Sequence, residues 1–167
     1  VNLVLERGIE GTAVLSPDKV YRYRLTRRWA PGGTTVLWIM LNPSVADATT
    51  DDATIKKCVG FSRKFEANAI IVVNLFAFRA TDPKELLYAT DPVGPGNLTV
   101  IEEETQKANV AVAAWGSLSN KMWLRAQPAL MVVKATSRLK CLGRTKGGAP
   151  RHPSRLAYMR TLQPYTV

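Results

Sequence analysis

Residues Val36 to Asp52 read VLWIMLNPSVADATTDD. Val36 to Leu41 is an unbroken apolar run, stopped abruptly by Asn42-Pro43-Ser44. Six apolar residues bounded by a polar-Pro turn predict a buried β-strand. The loop beyond it holds three carboxylates, Asp47, Asp51 and Asp52. In open α/β sheets, ligands bind beyond the carboxyl ends of the strands, so this loop is the expected rim of a site.

Working outward, Thr54 to Glu66 has helical spacing, with Ile55, Cys58, Val59, Ser62 and Phe65 on its apolar side. Asp51 or Asp52 is placed to cap it. Ala69 to Val73 is a second β-branched run ending at Asn74. Strand, helix and strand at this spacing predict a parallel pair with a right-handed crossover. Asn42 and Asn74 then lie at the same sheet edge. Asn109 to Trp115 predicts a third strand, closed by Gly116-Ser117, and Lys140 to Leu142 a fourth. Helices are expected at Leu98 to Ala108, with Glu102 to Glu104 mostly solvated, and at Leu118 to Ala126. Ala129 to Thr136, after Pro128, is open between helix and strand. Upstream, Val20 to Arg28 alternates as a strand, and Trp29 beside it either stacks on a base or packs on an edge strand. The expected fold is α/β, a three-layer α/β/α sandwich around a short, mainly parallel four-stranded sheet. Residues 1–167 are expected to form one domain.

Charge narrows the partners. The formal net charge is +10, and all thirteen acids fall at or before Glu104. From Thr105 onward there are eleven Lys and Arg residues and no acid. A half-chain so cationic predicts a polyanion partner, DNA or RNA. Cys58 and Cys141 follow no metal-ligand spacing and argue against a disulfide scaffold, so a reducing, cytoplasmic setting is expected. No run is apolar enough to span a bilayer, and no export signal is evident. No membrane partner, metal or cofactor is expected, and a monomer is. The last informative stretch, Gly143 to Leu156, reads GRTKGGAPRHPSRL and holds the only histidine, His152.

Four strand-end features thus stand in order: LNPS, VVN, AWGS and HPSRL. That ordered set resembles the uracil-DNA glycosylase superfamily over about Val36 to Leu156. The flanking text, MLNPSxAD and NLFAFRATDP, also looks like an uncharacterised family of bacterial and phage proteins. The glycosylase resemblance implies a DNA partner, double-stranded with a flipped base or single-stranded. Pro43 and Ser44 would lie along one phosphate, Gly116 and Ser117 along another. Asn74 would face the edge of an extruded base and His152 would donate to an oxygen on it. Arg151, Ser154 and Arg155 would hold the strand, and Leu156 would wedge into the gap in the stack. Asn42 matches the water-positioning place, assisted by Asp47, Asp51 or Asp52. Uracil-specific members carry a Tyr after the loop Pro; here Ser44, with Val45 and Ala46 following, implies a pocket able to take a 5-substituted pyrimidine.

Physical chemistry fits that scheme. Flipping a base costs a few kcal/mol in stacking and pairing, which phosphate contacts can supply. Breaking an N-glycosidic bond spreads positive charge on the sugar and negative charge on the base. A carboxylate near one and a donor near the other favour the transition state. The expected activity is monofunctional excision of a modified base, such as a glucosylated hydroxymethylcytosine of phage DNA, in repair or defence. A non-catalytic nucleic-acid binder on the same fold and a nucleotide hydrolase are the alternatives.

Overall fold

The structure, a computed structural model, describes residues 3–167. In chain order it runs β1 (Leu3–Val4), β2 (Glu10–Leu15), β3 (Arg22–Arg28), β4 (Thr35–Met40), β5 (Thr50–Asp51), α1 (Ala53–Lys64), β6 (Ala69–Asn74), α2 (Asn97–Lys107), β7 (Val110–Ala113), α3 (Asn120–Lys134), β8 (Leu139–Cys141) and β9 (Gln163–Pro164). Short 3-10 turns cover Pro83–Leu87 and Pro153–Arg155.

The main sheet has seven strands in the order β2-β3-β6-β4-β7-β8-β9. Its centre is parallel: β4 pairs with β6 and β7, and β7 with β8. Those are the four strands expected from the apolar runs. The expected four-stranded sheet is nonetheless too small, because β3 and β2 extend it antiparallel on one side and β9 on the other. Neither β2 nor β9 carries a buried run that would betray it: EGTAVL alternates between exposed and half-buried, and β9 is two exposed residues. β3 is also an inner strand, not an edge. Trp29 beyond it packs, its indole N–H donating to the Ala67 carbonyl at 2.9 Å with the Arg63 guanidinium 5.4 Å from the ring centre.

Alternation along β4 explains why its whole run is apolar. Leu37 and Ile39 enter a core shared with Ile101 of α2 and Met122, Ala126 and Val133 of α3. Val36, Trp38 and Met40 enter the opposite core, shared with Ile55, Cys58, Val59 and Phe61 of α1. A strand covered by helices on both faces has no polar side to show. The buried Ser62 on α1 accepts from the Trp38 indole N–H at 2.9 Å, which accounts for a hydroxyl on an apolar helix face.

Two expectations along the helices are corrected. α3 does not stop at Ala126 but runs through Pro128 to Lys134. Its apolar spacing, Met122, Ala126, Ala129, Leu130 and Val133, continues across the proline, which itself faces solvent, so core burial outweighs the local cost. Glu104 is buried rather than solvated, with Arg24 donating to it at 2.9 Å.

Arg27 and Asp51, both buried and 2.8 Å apart, fasten the loop after β4 to the sheet. Arg27 also donates to the Asp47 and Thr50 carbonyls, and β1 pairs antiparallel with β5 on the same loop.

Candidate functional site

A cleft of about 470 Å³ opens at the carboxyl ends of the central parallel strands. Asn42, Ser44, Asp52, Asn74 and His152 all line it, though they span more than a hundred sequence positions. The parallel register brings the first and fourth together: Met40 pairs with Asn74, so both strands end at one level. A second hollow of about 490 Å³, near Thr105, Thr136 and Arg138, carries none of these residues.

Asn42 donates from its amide nitrogen to the Pro43 carbonyl at 3.0 Å and the Ala80 carbonyl at 2.8 Å. Both N–H groups are thereby used, and the orientation is fixed because each partner is an acceptor. Its Oδ1 remains to accept from water or a ligand hydroxyl. Asn74 is 1% exposed, and neither its Oδ1 nor its Nδ2 has a partner. A buried amide left open on both sides is rare and costly. Asn97 holds the backbone beneath it, donating to the Asn74 carbonyl at 3.0 Å.

Asp52 caps α1, its Oδ1 accepting from the Ile55 N–H at 2.9 Å. That settles which of the adjacent aspartates caps the helix, and leaves Oδ2 of a cleft-lining carboxylate uncommitted by that bond. His152 is half-buried, and its Nδ1 accepts from the Ser154 backbone N–H at 3.3 Å, with the Ser154 hydroxyl 2.9 Å away. In the neutral ring the proton therefore sits on Nε2, making that nitrogen a donor. Burial pushes His152 below its ordinary value, with the charge of Asp52 opposing, so the neutral form is favoured.

The remaining candidate residues lie elsewhere. The Asp47 carboxylate is turned into its own loop, accepting from the Thr50 hydroxyl at 2.7 Å and the Thr49 and Thr50 N–H groups at 2.9 Å each. The Thr50 hydroxyl first, then the Thr49 amide, hold its pKa at about 2. Asp51 is taken by Arg27. Ala46 is wholly buried, and offers only its carbonyl, to Arg22. Pro43 is buried, its carbonyl accepting from Ala80. Gly116, at φ +77°, gives its N–H to the Pro150 carbonyl and passes beneath His152, so a Cβ there would lie 3.7 Å from that residue's Cβ. Ser117, Ser154 and Arg155 are exposed, and Arg151 donates to the Arg144 carbonyl. Leu156 cannot act as a wedge as it stands: it is 8% exposed, packed into the α1 core, with Lys57 donating to its carbonyl.

Arg22 and Trp115 also line the cleft, and neither stands among the candidate site residues above. Arg22 sits in an alternating stretch that looks solvent-facing. Only the antiparallel pairing of β3 with β6 sets the start of one strand beside the end of the other. Burial pulls its pKa down to about 10, with Asp52 the first of the charges that oppose the shift. Among the described residues no cluster of three or more His, Cys, Asp or Glu side chains could hold a metal ion, and no helix is long and apolar enough to cross a membrane.

No curated protein and no solved structure matches the chain. A family model does, over residues 22–154, a span that begins at Arg22 and contains every residue lining the cleft. The chain belongs to the family described as Protein of unknown function (DUF1643).

Proposed function

We propose that this chain is a monofunctional DNA glycosylase that excises a modified, 5-substituted pyrimidine by hydrolysing its N-glycosidic bond. The observation that carries the reading is the buried, doubly unpartnered amide of Asn74 facing a cleft that it shares with Asn42, Asp52 and His152. An amide offers one donor and one acceptor side by side, the pattern that matches the edge of a base. About 470 Å³ is ample for a nucleobase bearing a substituent.

In this mechanism the extruded base enters the cleft and Asn74 holds its edge. Neutral His152 donates from Nε2 to an oxygen of the base as negative charge gathers there. Asn42 Oδ1 accepts from the attacking water and orients it. An amide cannot take the proton, so the Asp52 carboxylate is the base, and its charge also favours the cationic sugar. Ser44, in place of a bulky aromatic, leaves room for the substituent. The exposed Ser117, Ser154 and Arg155, with the acid-free half of the chain, supply the phosphate grip.

The test is release of free base, read by mass spectrometry, from duplex and single-stranded oligonucleotides carrying uracil, 5-hydroxymethylcytosine or its glucoside. Release from a 5-substituted substrate that disappears in Asn74→Ala is expected. Absence of release from every substrate, with tight DNA binding intact, would replace the enzyme by a nucleic-acid binder. Release confined to plain uracil would remove the roomy-pocket argument.

A further inference from the structure

Two polar side chains on the floor of the cleft lack what burial normally demands. Asn74 is one. Arg22 is the other: it is 2% exposed, its Nη1 donates to the Ala46 carbonyl at 2.6 Å, and its Nε is buried without a partner. Among the described residues no carboxylate lies within ion-pair distance of it. Arg27, on the same strand, shows what a settled buried guanidinium looks like here: it has Asp51 and three backbone carbonyls. A buried charge without a counter-ion is strongly unfavourable. One carbonyl contact does not relieve it, so the missing partner is expected from outside the chain.

We infer that the cleft floor binds an anionic group attached to a planar, amide-bearing heterocycle, Arg22 meeting the charge and Asn74 the ring edge. The ring rests on the nucleobase reading above; the charge rests on Arg22. The cleft is lined by both the Asp52 carboxylate and the Arg22 guanidinium, and of the two only the guanidinium attracts an anion. Asp52 and Asp47 favour the charged guanidinium while Arg79 and Arg27 oppose it, and none of the carboxylates forms an ion pair with it. The anion has two sources, an acidic substituent on the ring or the phosphate of a free nucleotide, and a neutral substituent such as a sugar is the poorer match.

Calorimetric titration of the whole chain separates these. The probes are uracil, 5-hydroxymethyluracil, 5-carboxyuracil, uridine and uridine 5′-monophosphate, against the wild type, Arg22→Gln and Arg22→Lys. A charged probe should bind on the order of tenfold or more tighter than its uncharged counterpart, the scale of one charge-assisted hydrogen bond. Arg22→Gln should erase the difference and Arg22→Lys keep part of it. Preference for 5-carboxyuracil over 5-hydroxymethyluracil sets the anion on the ring; preference for the monophosphate over uridine sets it on the sugar. Should Arg22→Gln fail to fold, Asn74→Asp serves: a carboxylate brought into the same cleft as Arg22 should abolish the preference. Equal affinity for charged and uncharged probes overturns the inference, as does a preference that survives Arg22→Gln or Asn74→Asp. An Arg22-dependent preference in a protein that releases no base leaves the anion site standing and retires the glycosylase. Base release without any charge preference does the reverse.

Discussion

At the scale of single residues, Asp52 carries two jobs that one substitution can separate. It caps α1 through Oδ1, and it lines the cleft. Asp52→Asn keeps the capping acceptor and removes the charge. Base release should fall on the order of a hundredfold or more while urea unfolding barely moves. Asp52→Ala should lose release and also about 1 kcal/mol of stability with the cap. DNA affinity, measured by anisotropy, should survive both. His152 gives a pH signature. Its folded-state pKa lies below its ordinary value because burial disfavours the charged ring. The stability owed to the neutral ring is therefore complete above about pH 6.5 and drains away as pH falls toward the folded value. The rate of release should hold level from pH 8 down to about 6.5 and fall only on the acid side. A rate that climbs on acidification would assign catalysis to the imidazolium and remove the neutral donor from the mechanism. Some of this was legible in the sequence. Asn42 and Asn74 each end an apolar run, and the parallel crossover puts both at one sheet edge. The Asp47, Asp51 and Asp52 trio was not divisible in advance, because a cap, a buried ion pair and a cleft carboxylate all call for the same residue. Arg22 was hidden by its alternating neighbours.

Elements were easiest to read where one face or both were apolar throughout. β4, β6, β7 and α1 announce themselves, since each is packed deep in the sheet or directly against it. β2 and β9 do not, because an edge strand held by backbone hydrogen bonds needs little from its side chains. Pro128 misled in the opposite direction. It looks like a stop, yet the spacing of Ala126, Ala129, Leu130 and Val133 holds the helix against the core on both sides of it. The proline is then tolerated, not required. Pro128→Ala restores an N–H within a helix whose position is already fixed, so it should raise stability by about 1 kcal/mol or more, seen as a higher melting temperature. A lower melting temperature would mean that the proline itself is part of how α3 fits.

For the molecule as a whole, charge and topology divide the labour. All the acids fall at or before Glu104 and the cationic half follows it, yet the fold brings His152 of the late half to the cleft carboxylate of the early one. DNA affinity should fall steeply and linearly in log–log form as salt rises, by roughly a hundredfold or more between 50 and 200 mM if several phosphates are gripped. A flat response would point to a free nucleotide instead. The pairing of β1 with β5 adds a tether behind the rim of the cleft. Leu3–Val4 lie along Asp51 and Thr50, one residue short of the aspartate on the cleft wall. Deleting Leu3 and Val4 therefore acts as a remote control: the rim slackens, and a ligand is held less firmly although every side chain that touches it is still present.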